Sequence, residues 1–242
     1  MNKLLRKIGV LLRGELRIVL KRWRLLRRDR DRFTEEALRH EGFCSQHGQD
    51  KWLVEYVLSH QRAGFFVDVG AYDGIEISNT WLLESKYGWS GICVEPIPSV
   101  FAKLRQNRRC ECVQGCVASY DGETTFLEVE GNETLSGMAA TVSGPHQARI
   151  EGSKIRKLRV PCFRLDTLLK ERGVSKIDFL SIDTEGSELA ILRSIDWRTV
   201  KIGAICVENT YHGDLIAELL CRQGYRLDAI LAGDEIYVQT KY

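Results

Sequence analysis

The N-terminal part of this 242-residue chain has no uncharged apolar stretch long enough to cross a membrane. The longest uncharged run there, residues 8–12, is far shorter than the roughly 20 apolar residues that a membrane span requires. Arg13, Glu15 and Arg17 interrupt the apolar pattern, so a continuous signal-peptide core is lacking too. We therefore expect a cytoplasmic protein whose eight cysteines are reduced.

Paired C-x2-C units, which are typical of structural zinc sites, are also missing from the sequence. Cys110, Cys112 and Cys116 form a cluster, but with a different spacing. We interpret them as small buried side chains on or near a strand.

Charge is distributed unevenly along the chain. Residues 1–32 hold 12 Lys and Arg against 3 Asp and Glu, whereas the whole chain has a net charge of only +2. Apolar residues there recur at three- and four-residue steps, with basic residues largely on the other faces, which predicts a basic amphipathic helix. Such a helix suits an anionic membrane surface, here through residues 1–28, on the inner face of the membrane. Packing against the protein body or a second subunit fits equally well.

RNA binding is a third and less favoured role for this basic N-terminal helix. No aromatic-rich segment that could stack on bases accompanies it, so we expect no nucleic-acid partner.

From residue 43 onward, apolar runs alternate with helical patterns, which predicts one α/β domain over residues 43–242. The mainly parallel sheet would be covered by helices on both faces, and its last two strands would form an antiparallel hairpin. The predicted strands cover residues 65–69, 91–95, 111–117, 177–182, 203–208, 224–231 and 234–240. The predicted helices cover residues 47–59, 76–87, 98–107, 187–195 and 213–223.

Between residues 121 and 161 the pattern changes. The segments "ETTFLEV" and "KLRVPCF" predict an added strand pair. The polar residues 131–153 join them, and this stretch exceeds ordinary loop lengths. We therefore expect it to act as a lid or a substrate loop.

The stretch "FFVDVGAYDG" predicts a buried strand that ends in a tight turn. Gly70 and Gly74 allow the backbone to approach a ligand where the strand ends, which is where open α/β sheets bind ligands. Glu95 ends the next strand, about 20 residues further on, where a carboxylate can accept both hydroxyls of a ribose. A nucleoside ligand is therefore expected.

The turn lacks the G-x-G-x-x-G pattern of dinucleotide sites. Asp68 and Asp73 would repel a pyrophosphate but suit a ligand with a cationic end, such as S-adenosylmethionine. This argues against an NAD-dependent oxidoreductase. A plain strand-to-helix turn with solvated acids is the alternative without a ligand.

Several motifs, in this order, resemble the FkbM family of S-adenosylmethionine-dependent methyltransferases. The resemblance implies a Rossmann-like, seven-stranded class I methyltransferase sheet. It also implies O-methylation of a hydroxyl on a sugar, a glycolipid or a related metabolite. The motifs are "SQHGQD" (45–50), "FFVDVGAYDG" (65–74), "SNTWLLE" (78–84), "GWSGICVEPIP" (88–98), "LDTLL" (165–169), "IDFLSIDTEGSELAILRSID" (177–196) and "VEN" (207–209).

Carried onto this chain, the resemblance assigns a cofactor role to several residues. Glu95 would hold the ribose, Cys116 and Val117 would lie near the adenine, and Asp183 would lie near the transferred methyl group. At Cys116 the family leads us to expect a polar, Asn-like residue instead. The cofactor turn would consist of Asp68, Gly70, Ala71, Asp73 and Gly74.

A hydroxyl acceptor must lose its proton, and two routes fit the residues. In the first, Asp183 or a histidine acts as a general base, with His212 favoured over His47 and His146. In the second, Mg²⁺ is held by Asp183, Glu208 and Asn209 at neighbouring strand ends. The negative charges of Glu185 and Glu188 would stabilise the start of the following helix. A catalytically inactive nucleoside-binding module of the same fold is the alternative function.

Overall fold

The computed structural model describes residues 33–142, 144–209 and 213–240, and the chain there folds into two sheets flanked by helices. Its strands, in chain order, are β1 (Phe65–Val69), β2 (Ser90–Glu95), β3 (Glu111–Gln114), β4 (Cys116–Ala118), β5 (Gly122–Val129), β6 (Gly137–Met138), β7 (Ile155–Arg164), β8 (Lys176–Ile182), β9 (Lys201–Glu208), β10 (Tyr225–Leu231) and β11 (Asp234–Gln239).

The larger sheet has seven strands in the order β10-β11-β9-β8-β1-β2-β3. The strands from β9 to β3 run parallel, whereas β11 lies antiparallel between β9 and β10. This confirms the seven-stranded, Rossmann-like sheet and its C-terminal hairpin. The carboxyl ends of β1, β2, β8 and β9 meet at one edge of the sheet, and that edge positions the site.

Helices cover both faces of this sheet, as predicted. Val67 of β1 packs in one core with the buried faces of α6, α7 and α8, and Phe66 packs in another with α2, α3 and α4. Successive strand residues point to opposite faces, so each strand contributes to both cores. The helices are α1 (Glu35–Glu41), α2 (Gln49–Trp52), which continues as a π-helical turn (Leu53–Val57), α3 (Trp81–Tyr87), α4 (Pro98–Asn107), α5 (Gly144–Ile150), α6 (Leu165–Lys170), α7 (Glu188–Ser194) and α8 (Leu215–Arg222).

The prediction of a single strand over residues 111–117 is wrong, because Gly115 interrupts it and divides it into β3 and β4. Gly115 has φ +150° and donates its N–H to the Glu95 carbonyl at 3.1 Å. A Cβ there would lie 2.7 Å from the Pro161 carbonyl oxygen, so only glycine fits. Residues before Gly115 continue the large sheet as β3, and residues after it enter the smaller sheet as β4, paired with β7.

The smaller sheet has the order β4-β7-β5-β6 and contains the predicted added pair. β5 and β7 pair antiparallel along the full length of β5. The polar stretch between them, residues 131–153, holds a 3-10 turn (Glu133–Leu135), β6 and α5 in its described part. We call this stretch the cover segment.

Two predicted helices begin or end elsewhere. The helix expected from residue 76 begins only at Trp81, because an ordered turn occupies the residues after Gly74. The helix expected over residues 47–59 is short and changes to π-helical hydrogen bonding at Leu53.

The predicted N-terminal helix over residues 1–32 lies outside the described residues, as does His212. Within the ranges that are described, none of the helices is long and apolar enough to cross a membrane.

Candidate active site

A crevice that is open to solvent lies where the tips of the parallel strands face the smaller sheet. Its walls come from three parts of the chain. The strand tips contribute Val69, Gly70, Val94, Glu95 and Asp183; the smaller sheet contributes Cys116, Val117 and Phe126; and the cover segment contributes Glu133, Thr134, Ser136 and Met138.

The glycine turn after β1 is held between the two neighbouring strands. Gly70 and Ala71 donate their N–H groups to the Val94 carbonyl at 3.0 and 3.1 Å, and Asp183 donates its N–H to the Val69 carbonyl at 3.0 Å. Gly70 has φ +83°, and a Cβ there would lie 1.8 Å from the Asp183 carbonyl oxygen. The turn therefore requires glycine for both its conformation and its space. Gly70 lines the crevice, and Ala71 is buried beside it.

Asp73 and Gly74 shape the turn from behind. The Asp73 carboxylate accepts hydrogen bonds from the N–H groups of Ile75 and Glu76 at 2.9 and 2.8 Å. Gly74 has φ +83°, and a Cβ there would lie 2.6 Å from the side chains of Leu104 and Arg108. Neither residue is part of the crevice wall, so both act by fixing the backbone.

Asp68 also lies behind the crevice wall, contrary to the expectation that its carboxylate faces the cofactor. It is buried and accepts a hydrogen bond from the Thr80 hydroxyl at 2.6 Å. Burial raises the pKa of Asp68, although the Thr80 hydrogen bond and the charge of Arg108 oppose the shift. Side chains alternate along a strand, so Val69 faces the crevice while Asp68 faces the opposite core.

Arg108 connects this buried network. Its guanidinium is fully buried, pairs with Glu84, and donates to the Gly74 carbonyl and the Thr80 hydroxyl, each at 3.1 Å. The glycine turn, the start of α3 and the end of α4 are thereby joined. Asp68 and Arg108 position the turn from behind.

Glu95 does line the crevice, at the end of β2. It is 5% exposed, and its Oε1 accepts a hydrogen bond from the Ile97 N–H at 2.8 Å. Burial raises its pKa to about 8, against the hydrogen bonds from the backbone of Ile97 and Tyr72. A buried carboxylate with this pKa is ready to ionise when a ligand donates to it.

Cys116 and Val117 form the wall opposite the strand tips. They reach this position because the break at Gly115 moves them into the smaller sheet. Both are buried, and burial raises the pKa of the Cys116 thiol. This wall is therefore apolar.

Asp183 follows β8 and has an exposed side chain at the crevice. Desolvation by the surrounding protein and the negative charges of Glu208 and Asp234 raise the pKa of its carboxylate, although water at this exposed residue screens part of the effect. This environment suits a proton acceptor near neutral pH.

The predicted Mg²⁺ site receives no support. Among the described residues, no group of three or more His, Cys, Asp and Glu side chains is arranged to hold a metal ion. Asn209 donates its amide to the Gly213 carbonyl at 2.8 Å and to Glu235 at 3.0 Å, so this side chain connects the end of β9 with Gly213 and β11.

Sequence reasoning missed the contribution of Glu185 and of the cover segment. Glu185 was expected to serve the start of α7, but its carboxylate faces the cover segment, 2.8 Å from Nδ1 of the buried His146. Glu188, the first residue of α7, does hold the backbone at the start of that helix, because it accepts hydrogen bonds from the N–H groups of Thr184 and Gly186. The sequence signal for Glu185 was its place two residues after Asp183.

Four carboxylates line the crevice: Glu95, Glu133, Asp183 and Glu185. The lining residues that the structure describes include no Lys or Arg. The crevice is therefore negative or neutral, which favours ligands with a cationic or uncharged group over phosphates.

Comparison with known proteins gives a family match. A model described as the methyltransferase FkbM domain matches residues 68–227. The curated protein "Methyltransferase 1" of Beauveria bassiana (strain ARSEF 2860) is 26% identical over 148 residues, which is 54% of this chain. The matched region spans 58% of the length of that relative.

Solved methyltransferase structures are also similar. A methyltransferase FkbM from Methylobacillus flagellatus KT aligns with a TM-score of 0.45 at 13% identity, over 82% of this chain and 49% of that chain. An RNA methyltransferase from Salinibacter ruber, solved in complex with S-adenosyl-L-homocysteine, aligns with a TM-score of 0.40 at 13% identity, over 82% of this chain and 95% of that chain.

Proposed function

This chain belongs to the FkbM methyltransferase family, and on that premise we propose that it is an S-adenosylmethionine-dependent O-methyltransferase. The proposed acceptor is a hydroxyl of a sugar, a glycolipid or a related metabolite. One observation carries the proposal: the Gly70 turn, the buried carboxylate of Glu95 and Asp183 converge on one crevice.

The crevice residues fit this cofactor. Glu95 would accept the ribose hydroxyls, and Cys116 and Val117 would pack against the adenine. The remaining carboxylates would attract the cationic end of the cofactor, because the described lining contains no competing basic side chain. When bound, S-adenosylmethionine supplies a methyl group on a positively charged sulfur.

The protein's own part in the proposed reaction is alignment and proton removal. A neutral sugar hydroxyl is a poor nucleophile, so a base must accept its proton as the new oxygen–carbon bond forms. We assign this role to Asp183, whose raised pKa brings its proton affinity closer to neutral pH. The excess of carboxylates also favours an acceptor without phosphate groups.

The direct test measures S-adenosylhomocysteine binding by calorimetry and then methyl transfer. Purified protein and methyl-labelled S-adenosylmethionine are added to glycan, glycolipid and small-metabolite fractions, and we expect label on a hydroxyl oxygen. Absence of cofactor binding would contradict the proposal. Binding without transfer to any fraction would favour the inactive binding module, and displacement of the cofactor by NAD would favour an oxidoreductase.

We expect cofactor affinity to rise with pH, up to about tenfold per pH unit below about pH 8, and then to level off. Ribose hydroxyls donate hydrogen bonds, so binding requires the ionised form of Glu95, whose pKa is raised to about 8. Calorimetry across this pH range measures the effect. In Glu95→Gln the affinity should be low and should depend less on pH, whereas Glu171→Gln, an exposed control, should match the wild type.

The stability of the ligand-free protein should change in the opposite direction. The pKa of Glu95 is raised from 4.5 to about 8 on folding, so the unfolded chain ionises first as pH rises. Unfolding free energy is therefore lost from about pH 4.5 up to about pH 8, at about 1.4 kcal/mol per pH unit at most. Urea titrations at several pH values should show this loss in the wild type and a smaller one in Glu95→Gln.

We further propose that residues 1–28, which lie outside the described residues, hold the enzyme on an anionic membrane. Removing them should abolish co-sedimentation with vesicles that contain anionic lipid, because the basic side chains supply the attraction. Neutral vesicles are the control. If the truncated chain and the 242-residue chain sediment equally, residues 1–28 do not bind the membrane, and a contact with protein would be favoured for them.

A further inference from the structure

The cover segment, residues 131–153, is joined to the smaller sheet through β6, which pairs with β5, and its later described residues make polar contacts with the turn after β8. Two of them converge on Glu185: His146 lies 2.8 Å from its carboxylate, and Arg149 donates to the same oxygen at 3.1 Å. A third joins the hydroxyls of Thr141 and Ser187 at 3.0 Å.

His146 is the inner of the two partners of Glu185. Its side chain is completely buried, and its Nε2 donates to the Leu135 carbonyl at 3.0 Å, within the cover segment itself. Because Nε2 uses its proton on this carbonyl, Nδ1 attracts the Glu185 carboxylate only when it also carries a proton, as an ion pair and not as an aligned hydrogen bond. In that form His146 links the 3-10 turn of the segment, which lines the crevice, to Glu185. Arg149 is about half exposed and contributes less, since water screens its charge.

The backbone at Glu185 is arranged for this contact. Glu185 has φ +54°, an uncommon conformation for a residue with a side chain, and Gly186 follows with φ +120°. Gly137 of the cover segment lies beside this turn, and a Cβ at Gly137 would be in ordinary van der Waals contact with the Glu185 carbonyl oxygen, at 3.4 Å. Backbone strain of this kind persists only where the surrounding contacts maintain it.

Glu185 also lines the crevice, as do Glu133, Thr134, Ser136 and Met138 of the cover segment. The outer wall of the binding site is therefore fastened at the residue that follows Asp183 and Thr184. The main chain that places Asp183 at the crevice and the side chain that fastens the cover belong to one short turn.

We propose that Glu185 is a positioning residue that fastens the cover segment over the crevice through His146, and thereby completes the outer wall of the ligand site. The fastening itself does not depend on which ligand is bound. Its effect on the cofactor rests on the function proposed above.

The test follows trypsin cleavage after Arg149 in the full-length protein, with mass spectrometry to identify this bond. We expect Glu185→Gln to be cleaved at least about tenfold faster than the wild type, because the segment leaves the protein body more often. Glu151→Gln, the same substitution at an exposed position of the cover segment, should be cleaved within about twofold of the wild-type rate. Equal rates in Glu185→Gln and the wild type would overturn the proposal.

A double-mutant cycle separates the contact from general loss of stability. His146→Gln should accelerate the same cleavage, and the double variant should be cleaved at about the rate of Glu185→Gln alone, since Glu185→Gln already removes the His146 contact together with that of Arg149. Rates that multiply would contradict the link between the two residues. Urea unfolding of each variant identifies any that fails to fold, and His146→Gln then tests the contact from the other side.

A third measurement repeats the cleavage in the presence of S-adenosylhomocysteine. This ligand should slow cleavage of the wild type at least about fivefold, and Glu185→Gln should bind it about tenfold more weakly. Binding without any protection would show that the segment does not form the outer wall. If the ligand does not bind the wild type, the proposed cofactor is wrong, while the ligand-free rates still decide the role of Glu185.

Discussion

Gly70→Ala is expected to abolish cofactor binding and to lower the unfolding free energy by more than about 4 kcal/mol. A Cβ at this position would lie 1.8 Å from the Asp183 carbonyl oxygen, a backbone atom that cannot move aside alone. Relief would require β1 and β8 to separate, although they are paired along the centre of the sheet. The left-handed φ of +83° adds about 1–2 kcal/mol of strain for any residue with a Cβ.

Gly42→Ala is the matched control for this substitution. Gly42 has φ +82°, nearly the same conformation, but nothing lies within 4 Å of a Cβ placed there. Its loss of stability should therefore reflect strain alone, about 1 kcal/mol. Urea unfolding and calorimetry with S-adenosylhomocysteine measure both variants. Similar behaviour of the two would mean that the close approach of Gly70 to Asp183 is unimportant.

Asp183→Asn is expected to slow methyl transfer by about 10²–10⁴-fold while changing cofactor affinity by only a few-fold. Asparagine keeps the size of the side chain but cannot accept the acceptor's proton. The turn around it should persist, because Asp183 is tied to Val69 through its main-chain N–H. The measurement compares kcat with the dissociation constant of S-adenosylhomocysteine. A variant that keeps wild-type turnover would exclude Asp183 as the base.

Glu208→Gln tests the electrostatic part of this assignment. The negative charge of Glu208 helps to raise the pKa of Asp183, after desolvation by the surrounding protein. Removing that charge should lower the pKa of Asp183, so the acidic limb of the kcat profile should move to lower pH. The plateau should remain high, because the base itself is unchanged. Asp196→Asn, at a surface loop, should leave the profile where it is in the wild type.

The glycine turn after β1 was predictable because its information is local. An apolar run followed by two glycines specifies a strand and a tight turn, and Glu95 ends the next apolar run at the same edge of the sheet. Periodicity also predicted the mainly parallel sheet and the helices on both of its faces. These features depend on residues close together in the sequence.

The role of Asp68 could not be predicted in the same way. Its position in the motif indicated a ligand contact, but the strand's alternation turns its carboxylate towards Thr80 and the charge of Arg108. Arg108 lies forty residues away in the sequence, so the network exists only once α3 and α4 have packed on the sheet.

By itself the sequence determined the α/β architecture, the glycine turn and the carboxylate that ends β2. Only the tertiary structure decided which carboxylates face the crevice, and that His146 of the cover segment meets Glu185 beside it. The tertiary structure also decided that Cys116 and Val117, which follow the interruption at Gly115, belong to the smaller sheet. The physical reason is range: strands and turns follow from local pattern, whereas the walls of the crevice come from segments that meet only after folding.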